Sequence, residues 1–119
     1  MKKIMLVDDK EMSNFIMRKF LEMNAPDCEI YDFTDPEGAY HKIDSINPDL
    51  IFLDLNMPIM DGWDFLQQMA DEKKANKVAI VTSSTSENDK NESLNYNNIV
   101  QFIIKPFAAE ELVNVIDRV

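Results

Sequence analysis

Short apolar runs recur along the chain and alternate with segments of helical periodicity. Three of these runs contain almost no polar residue, which is typical of strands that are covered on both faces of a parallel sheet. The run over 29–33 alternates apolar and polar residues instead, so we expect it at an edge of the sheet. The predicted strands, numbered β1–β5 in chain order, cover 3–7, 29–33, 50–55, 78–83 and 100–105.

Amphipathic segments fill the intervals between the predicted strands. The first carries apolar residues at helical spacing, which predicts one stripe facing the core. The members of that stripe are Met12, Phe15, Ile16, Phe20 and Met23. The fourth segment is rich in asparagine and poor in apolar residues, so it is expected to be a weak helix. The predicted helices, numbered α1–α5, cover 11–23, 35–46, 61–74, 86–98 and 108–119.

The alternation of strands and helices predicts an α/β fold. Right-handed crossovers between parallel strands place helices on both faces of the sheet, which gives a doubly wound (βα)₅ sandwich of three layers. A chain of 119 residues is long enough for one core and too short for two. We therefore expect residues 1–119 to form a single domain.

Composition and charge exclude several classes of protein. The net charge of −10, from 22 acidic and 12 basic residues, argues against direct binding of nucleic acid, which needs a basic surface. The single cysteine, Cys28, permits no internal disulfide and favours a reducing compartment. No apolar stretch approaches the length of a membrane span, and the N-terminus lacks the apolar core of a signal peptide. We expect a cytoplasmic protein without membrane insertion.

Polar residues follow the apolar runs at the ends of four predicted strands. They are Asp8 and Asp9 after β1, Asp54 near the end of β3, Thr82 and Ser83 in β4, and Lys105 and Pro106 at β5. The carboxyl ends of parallel strands lie at one edge of a sheet, where ligands bind at the topological switch point. Three carboxylates, a hydroxyl and an ammonium group are therefore expected to converge there.

The chemistry of this group points to a cation and to phosphoryl transfer. Neighbouring carboxylates raise one another's pKa unless a positive charge joins them, and Lys105 supplies only one such charge. Mg²⁺ typically binds one or two carboxylates together with water and phosphate oxygens, so the acidic residues predict a Mg²⁺ site. A carboxylate in such a site can act as a nucleophile toward phosphorus. The metal, Lys105 and Thr82 would stabilise the charge that develops in the transition state.

The same segments resemble those of response-regulator receiver domains of two-component signalling, in particular single-domain receivers of the chemotaxis type. The resemblance covers the whole chain and is carried, in order, by "LVDD", "PDLIFLDLNMPIMDG", "IVTSS" and "IIKPF". It implies a flavodoxin-like sheet in which the five parallel strands have the order 2-1-3-4-5.

The resemblance also implies a role for each residue of the predicted site. Asp54 matches the position of the phosphoacceptor. Asp8 and Asp9 match the acidic pair that binds Mg²⁺, with Asp9 as the more direct ligand. Asn56 matches the residue whose backbone carbonyl also binds the metal, and Thr82 matches the residue that hydrogen-bonds the phosphoryl group.

Further roles are implied for the end of β5. Lys105 would pair with the phosphoryl group, and the Lys105–Pro106 peptide bond would be cis. Phe102 lies at the position of the switch aromatic residue, where the family more often has Tyr or His. Because a phenyl ring has no hydroxyl group, its inward movement after Thr82 shifts would be purely steric.

The resemblance implies a signalling switch that is controlled by phosphorylation. A sensor histidine kinase or a histidine phosphotransfer protein would donate the phosphoryl group to Asp54. The domain would catalyse this transfer and its own dephosphorylation, without being a conventional turnover enzyme. Asn56 and Ser84, at the positions that tune dephosphorylation, are small and neutral, which favours a short phosphoryl lifetime. Output would pass to a downstream protein through the α4-β5-α5 surface, from a monomer or a phosphorylation-dependent dimer.

Two other functions of α/β proteins fit these residues less well. A flavodoxin-like electron carrier needs a glycine-rich phosphate loop after β1, but the chain has two glycines and an acidic loop there. A phosphatase of the haloacid-dehalogenase kind needs an acid two residues after its nucleophile, where this chain has Asn56. The alternative that stays open is a receiver-fold interaction module that works without phosphorylation. The sequence identifies neither the kinase nor the target, and a stand-alone protein and an excised domain both fit it.

Overall fold

The computed structural model describes residues 1–119 and contains five strands and five helices. The strands are β1 (Lys3–Val7), β2 (Glu29–Phe33), β3 (Leu50–Leu53), β4 (Val78–Thr82) and β5 (Ile99–Ile104). The helices are α1 (Glu11–Asn24), α2 (Pro36–Ile46), α3 (Gly62–Asp71), α4 (Glu87–Ser93) and α5 (Ala109–Asp117). None of these helices is long and apolar enough to cross a bilayer.

The five strands form one parallel sheet in the order β2-β1-β3-β4-β5. This confirms the predicted α/β (βα)₅ fold and its strand order. The alternating strand, β2, lies at an edge, as its pattern predicted. Val7 at the end of β1 pairs with both Phe33 and Leu53, so three strands end at the same level. The residues that follow these strands are thereby brought together.

Alternate residues of each strand enter two separate hydrophobic clusters, because successive side chains point to opposite faces of a sheet. Met5 and Val7 pack with buried residues of α2 and α3, in what we call the α2–α3 cluster. Ile4 and Leu6 pack with buried residues of α1 and α5, in the α1–α5 cluster. The sheet is therefore covered on both sides, which explains the nearly continuous apolar runs in β1, β3 and β4.

The predicted inward face of α1 is wrong. The residues that α1 buries are Asn14, Met17 and Leu21, which follow an i, i+3, i+7 spacing of their own. Four members of the predicted stripe are exposed instead: Met12 (67%), Phe15 (56%), Ile16 (44%) and Met23 (81%). The helix has apolar residues around a wider arc than the sheet can cover, so periodicity alone did not identify the buried side.

The α4 helix is shorter than the predicted segment 86–98, and its lack of buried residues is consistent with the weak helix that its composition predicts. It has seven residues, and none of them is buried. Ser86 caps its N-terminus by accepting a hydrogen bond from the Asn88 N–H at 3.2 Å. Since α4 buries no apolar side chain, polar contacts must account for much of its placement.

Candidate functional site

Three carboxylates meet at the carboxyl edge of the sheet. Asp8 and Asp9 follow β1 and Asp54 follows β3, and ligand atoms of all three lie within 4.8 Å of one another. The backbone fixes this arrangement, because the Asp54 N–H donates to the Val7 carbonyl at 3.0 Å. Asp8 and Asp54, which are 46 positions apart in the sequence, are thus held side by side by the register of two parallel strands.

The site holds more negative charge than its own residues can neutralise. The Lys105 ammonium group lies 3.1 Å from Asp8 Oδ2, and this is the one ion pair of the site. Burial and the nearby Asp8 raise the pKa of Asp54, and Asp9 adds to the effect. Lys105 and the hydrogen bond from the Asn56 N–H act in the opposite direction without cancelling the shift. An additional positive charge would therefore stabilise the ionised form of the site.

One oxygen of Asp9 lies buried without a partner. Asp9 Oδ1 accepts no hydrogen bond, although most buried polar atoms of a folded protein are paired. The Asn56 carbonyl, in the loop after β3, likewise accepts no hydrogen bond from the chain. A set of carboxylate and carbonyl oxygens with unused lone pairs fits a hard divalent cation such as Mg²⁺.

Thr82 lies at the end of β4 and is fully buried. Its Oγ1 accepts hydrogen bonds from Asn56 Nδ2 at 3.3 Å and from the Ser84 N–H at 3.2 Å. The Asn56 N–H in turn donates to Asp54 Oδ1 at 3.2 Å. The hydroxyl group of Thr82 is thus linked through Asn56 to Asp54, and it donates no hydrogen bond within the chain.

The remaining predicted residues lie on and after β5. The Lys105 N–H donates to the Thr82 carbonyl at 2.7 Å, which places the two residues on adjacent strand ends. The Lys105–Pro106 peptide bond is cis. Phe102 is half-buried and packs against the α2–α3 cluster, together with Trp63 and Tyr96. Of the two predicted tuning residues, Ser84 is turned toward α4, where its hydroxyl group donates to Asp89 Oδ2 at 2.6 Å.

Gly62 allows α3 to begin directly against the acidic loop. A Cβ at this position would lie 2.7 Å from the Asp54 carbonyl oxygen and 2.8 Å from Leu55 Cα. The Gly62 N–H donates to the Leu55 carbonyl at 3.0 Å, and Asp61 caps the helix by accepting from the Asp64 N–H at 2.9 Å. Any larger residue at 62 would displace the backbone that carries Asp54.

Asn14 is a residue of the site's framework that sequence reasoning missed. It is buried in α1, and its Nδ2 donates to the Asp8 carbonyl at 3.1 Å and to the Phe33 carbonyl at 3.0 Å. It thereby ties the loop after β1 to the end of β2. The signal that identifies it is its helical register with Met17 and Leu21, which a search for apolar residues alone overlooks.

A cavity of about 350 Å³ opens beside the acidic residues. Its wall includes Asp54 and Lys105 from the site, Ile16 and Phe20 from α1, and Phe107 from the loop after β5. Ile16, one of the exposed apolar residues of α1, therefore lies at the same cavity as Asp54.

Comparison with known proteins supports one family. The family model described as "Response regulator receiver domain" matches residues 4–117. A protein-glutamate methylesterase/protein-glutamine glutaminase of Geobacter sulfurreducens is 33% identical over 95% of this chain, which covers 30% of that protein. The alkaline phosphatase synthesis transcriptional regulatory protein PhoP of Bacillus subtilis is 31% identical over 93% of this chain and 45% of its own length.

Solved structures agree with this result. The chemotaxis protein CheY4 of Vibrio cholerae matches with a TM-score of 0.85 and 27% identity, covering 100% of this chain and 98% of that one. The response regulator domain of Thermotoga maritima CheB matches with a TM-score of 0.84 and 27% identity, covering 98% and 94%.

The chain spans less than half the length of the two curated relatives described above. The similarity therefore concerns their receiver portion and not their whole activities. Because the family model covers almost all of the sequence, the chain belongs to the response regulator receiver domain family, whose general function is phosphorylation-based signalling in two-component systems.

Proposed function

We propose that residues 1–119 act as one receiver unit that is switched by phosphorylation of Asp54. The phosphodonor would be the phosphohistidine of a sensor kinase or of a phosphotransfer protein. The observation that carries this proposal is the convergence of Asp8, Asp9 and Asp54, within 4.8 Å, beside the Lys105 ammonium group. A carboxylate nucleophile and a positive group that can contact a phosphoryl oxygen are the parts that this chemistry requires.

The acidic residues would hold Mg²⁺, together with the backbone carbonyl of Asn56. The unpartnered Asp9 Oδ1 and the raised pKa of Asp54 support this assignment. When bound, Mg²⁺ would neutralise the carboxylates and stabilise negative charge on the phosphoryl oxygens. Receiver domains generally bind Mg²⁺ at an acidic pocket of this kind.

Each residue of the site has a separate role in the phosphoryl transfer. An Asp54 carboxylate oxygen forms a bond to phosphorus while the N–P bond of the donor breaks, and the imidazole leaves with the bonding pair and takes up a proton. Lys105 attracts the phosphoryl oxygens, and the Thr82 hydroxyl group donates its free hydrogen to one of them. In the later hydrolysis, the oxygen of a water molecule bonds to phosphorus, the bond between phosphorus and the Asp54 oxygen breaks, and inorganic phosphate leaves. The Asp54 carboxylate is thereby restored, and Asn56 and Ser84 are the residues that would tune this step.

The switch follows from the movement of Thr82. When Thr82 turns its hydroxyl group toward the phosphoryl group, it vacates space into which Phe102 can rotate. The ring forms no polar contact, so this step is driven by packing. The change would alter the α4-β5-α5 surface and thereby the binding of a downstream protein, since α4 has few buried contacts that oppose its displacement.

The exposed apolar face of α1 supports docking of the phosphodonor at this edge. Phe15 and Ile16 lie on this face, and Ile16 lines the cavity that Asp54 also lines. A partner that covered this face would bury apolar area and would place its phosphohistidine beside the nucleophile.

The test is incubation with acetyl phosphate, with and without Mg²⁺, followed by intact mass measurement. We expect a Mg²⁺-dependent adduct of one phosphoryl group in the wild type and none in Asp54→Asn. An adduct that persists in Asp54→Asn would contradict the proposal. A chain that is phosphorylated neither by acetyl phosphate nor by a histidine kinase would instead favour an interaction module that works without phosphorylation.

A further inference from the structure

Asp89 is the side chain through which α4 contacts two other parts of the molecule. Its Oδ2 accepts a hydrogen bond from Ser84 Oγ at 2.6 Å, in the loop after β4. Its Oδ1 accepts a hydrogen bond from Trp63 Nε1 at 3.2 Å, in the first turn of α3. One carboxylate thus joins the loop after β4 and the start of α3 to α4.

The rest of α4 has few anchors that could replace these bonds. None of its seven residues is buried. After the helix, Tyr96 stacks on Trp63 with ring centroids 6.0 Å apart, and its hydroxyl group donates to Gln67 Oε1 at 3.2 Å. The segment is therefore held against α3 by one aromatic pair and by bonds that end on exposed or half-buried groups. Such a segment is easily displaced when a single bond is lost.

Ser84 connects Asp89 to the phosphorylation site. The Ser84 N–H donates to Thr82 Oγ1 at 3.2 Å, while the Ser84 hydroxyl group donates to Asp89. A continuous series of contacts therefore runs from Thr82 through Ser84 and Asp89 to Trp63. Hydrogen bonds weaken steeply when their distance or angle changes, so a shift of Thr82 must either break this series or move α4 with it.

We propose that Asp89 is a positioning residue that latches α4 to Ser84 and Trp63, and that this latch transmits displacement of Thr82 to α4. The term Asp89 latch refers below to Ser84, Asp89 and Trp63. The proposal rests on the proposed function only for the event that displaces Thr82. The latch itself belongs to the unmodified chain.

The first experiment measures the latch directly. Trp63 is the only tryptophan, so the protein has a single indole N–H resonance. We expect Asp89→Ala to shift this resonance and to accelerate the exchange of the indole hydrogen with water by about tenfold, because a hydrogen bond to a charged acceptor is lost. Asp89→Asn keeps a carbonyl oxygen for the indole and should recover part of the protection.

The matched control is Glu92→Ala. It also removes an acid from α4, but the Glu92 carboxylate accepts a hydrogen bond only from Asn95 Nδ2, at 3.3 Å. We expect the indole resonance and its exchange rate to stay as in the wild type. An equal effect of Glu92→Ala and Asp89→Ala would overturn the proposal, because the change would then reflect the charge of α4 and not the latch.

The second experiment measures whether the Asp89 latch transmits a displacement of Thr82 to α4. No hydrogen bond joins Ser84 to Trp63, yet we expect Ser84→Ala to shift the indole resonance in the direction of Asp89→Ala. In wild-type protein with acetyl phosphate and Mg²⁺, the resonance should move once intact mass shows the adduct, and Asp89→Ala should show little further movement. If the Trp63 indole resonance does not move in Ser84→Ala, or does not move in wild-type protein with a demonstrated adduct, the claim that the latch transmits the displacement of Thr82 is overturned.

The two proposals fail in different ways. If no adduct forms on Asp54, the proposed function fails, while the Asp89→Ala, Glu92→Ala and Ser84→Ala spectra of the unmodified chain still decide whether the latch exists and transmits. If the adduct forms and the indole resonance is the same in Asp89→Ala as in the wild type, the latch fails and the proposed function stands.

Discussion

At the scale of single residues, Asp54 shows how an ionisable group is kept where a charge is unfavourable. Its side chain follows a buried strand, the residue is only 6% exposed, and two other carboxylates lie beside it. Burial and Asp8 raise its pKa, so the ionised form costs folding free energy unless a cation joins it. A strongly perturbed carboxylate of this kind is a candidate functional group, which supports the role of phosphoacceptor proposed above for Asp54.

We predict that Asp54→Asn stabilises the metal-free protein. Because the pKa of Asp54 is higher in the folded chain than its value of 3.8 in the unfolded chain, the folded state binds the proton more strongly. Stability therefore decreases as pH rises from 3.8 through the folded pKa, and the full penalty is present at neutral pH. The variant should melt at a higher temperature than the wild type at pH 7, and the difference should disappear below pH 3.8.

Mg²⁺ should reverse the order of the two melting temperatures, so that the wild type melts at a higher temperature than Asp54→Asn. If Mg²⁺ binds as proposed, a concentration of one hundred times Kd would stabilise the folded wild type by about 2.7 kcal/mol and would stabilise Asp54→Asn less. Asp27→Asn, at an exposed position away from the site, is the control and should match the wild type in both conditions. Thermal unfolding followed by circular dichroism measures each case. A lower melting temperature of metal-free Asp54→Asn at pH 7 would contradict the prediction.

At the scale of elements, α1 has two apolar faces with different tasks. Met17 and Leu21 are buried in the α1–α5 cluster, whereas Phe15 and Ile16 are exposed. Of these two exposed residues, Ile16 lines the cavity of the site. Since the exposed residues are not needed to hold the helix on the sheet, their apolar character supports the docking of a partner that is proposed above.

We predict that the two faces differ sharply in their effect on stability. Leu21→Ala should decrease the free energy of unfolding by about 2–5 kcal/mol, because it leaves a cavity in a packed cluster. Phe15→Ala should change it by no more than about 0.5 kcal/mol, because 56% of this residue is exposed. Urea unfolding measures both. A loss in Phe15→Ala comparable to that in Leu21→Ala would show that the face predicted from periodicity is the buried one after all.

At the scale of the whole molecule, the packed core and the segment that carries α4 differ in how many buried contacts hold them. The α2–α3 cluster is closed by Tyr40, which packs edge-to-face on Phe65 at 5.4 Å and donates a hydrogen bond to Glu72. Both helices are thereby tied to each other behind the sheet. The segment that carries α4 lacks such closure, because none of the seven residues of this helix is buried.

We predict that Tyr40 makes the stability of the molecule sensitive to alkaline pH. Burial, and then the hydrogen bond to Glu72, raise the pKa of Tyr40 above its ordinary value of 10.0. Its stabilising contribution is therefore complete below pH 10.0 and is lost as pH rises toward the folded pKa. Tyr40→Phe should be less stable than the wild type by about 1 kcal/mol at pH 7, through the lost hydrogen bond. The two unfolding free energies should converge above pH 10, and curves that stay parallel there would refute this role.

Much of the fold and the position of the candidate site followed from the sequence by itself. Residues 50–53 and 78–82 are apolar at every position or nearly so, and this local property reports burial on both faces, hence a parallel sheet with helices on each side. Parallel strands end at one edge, so the polar residues after β1, β3 and β5 had to meet there. The chemistry of Asp8, Asp9 and Asp54 could then be argued from residue types alone.

Only the tertiary structure decided which face of α1 is buried and what holds α4. The α1 sequence offers two helical stripes. The buried one is selected by the packing of Met17 and Leu21 in the α1–α5 cluster and by the hydrogen bonds from Asn14 to the carbonyl groups of Asp8 and Phe33. The Asp89 latch joins Trp63 and Asp89, which are 26 residues apart in the chain. No periodicity predicts such a contact, because it is set by how two helices pack and not by the pattern within either one.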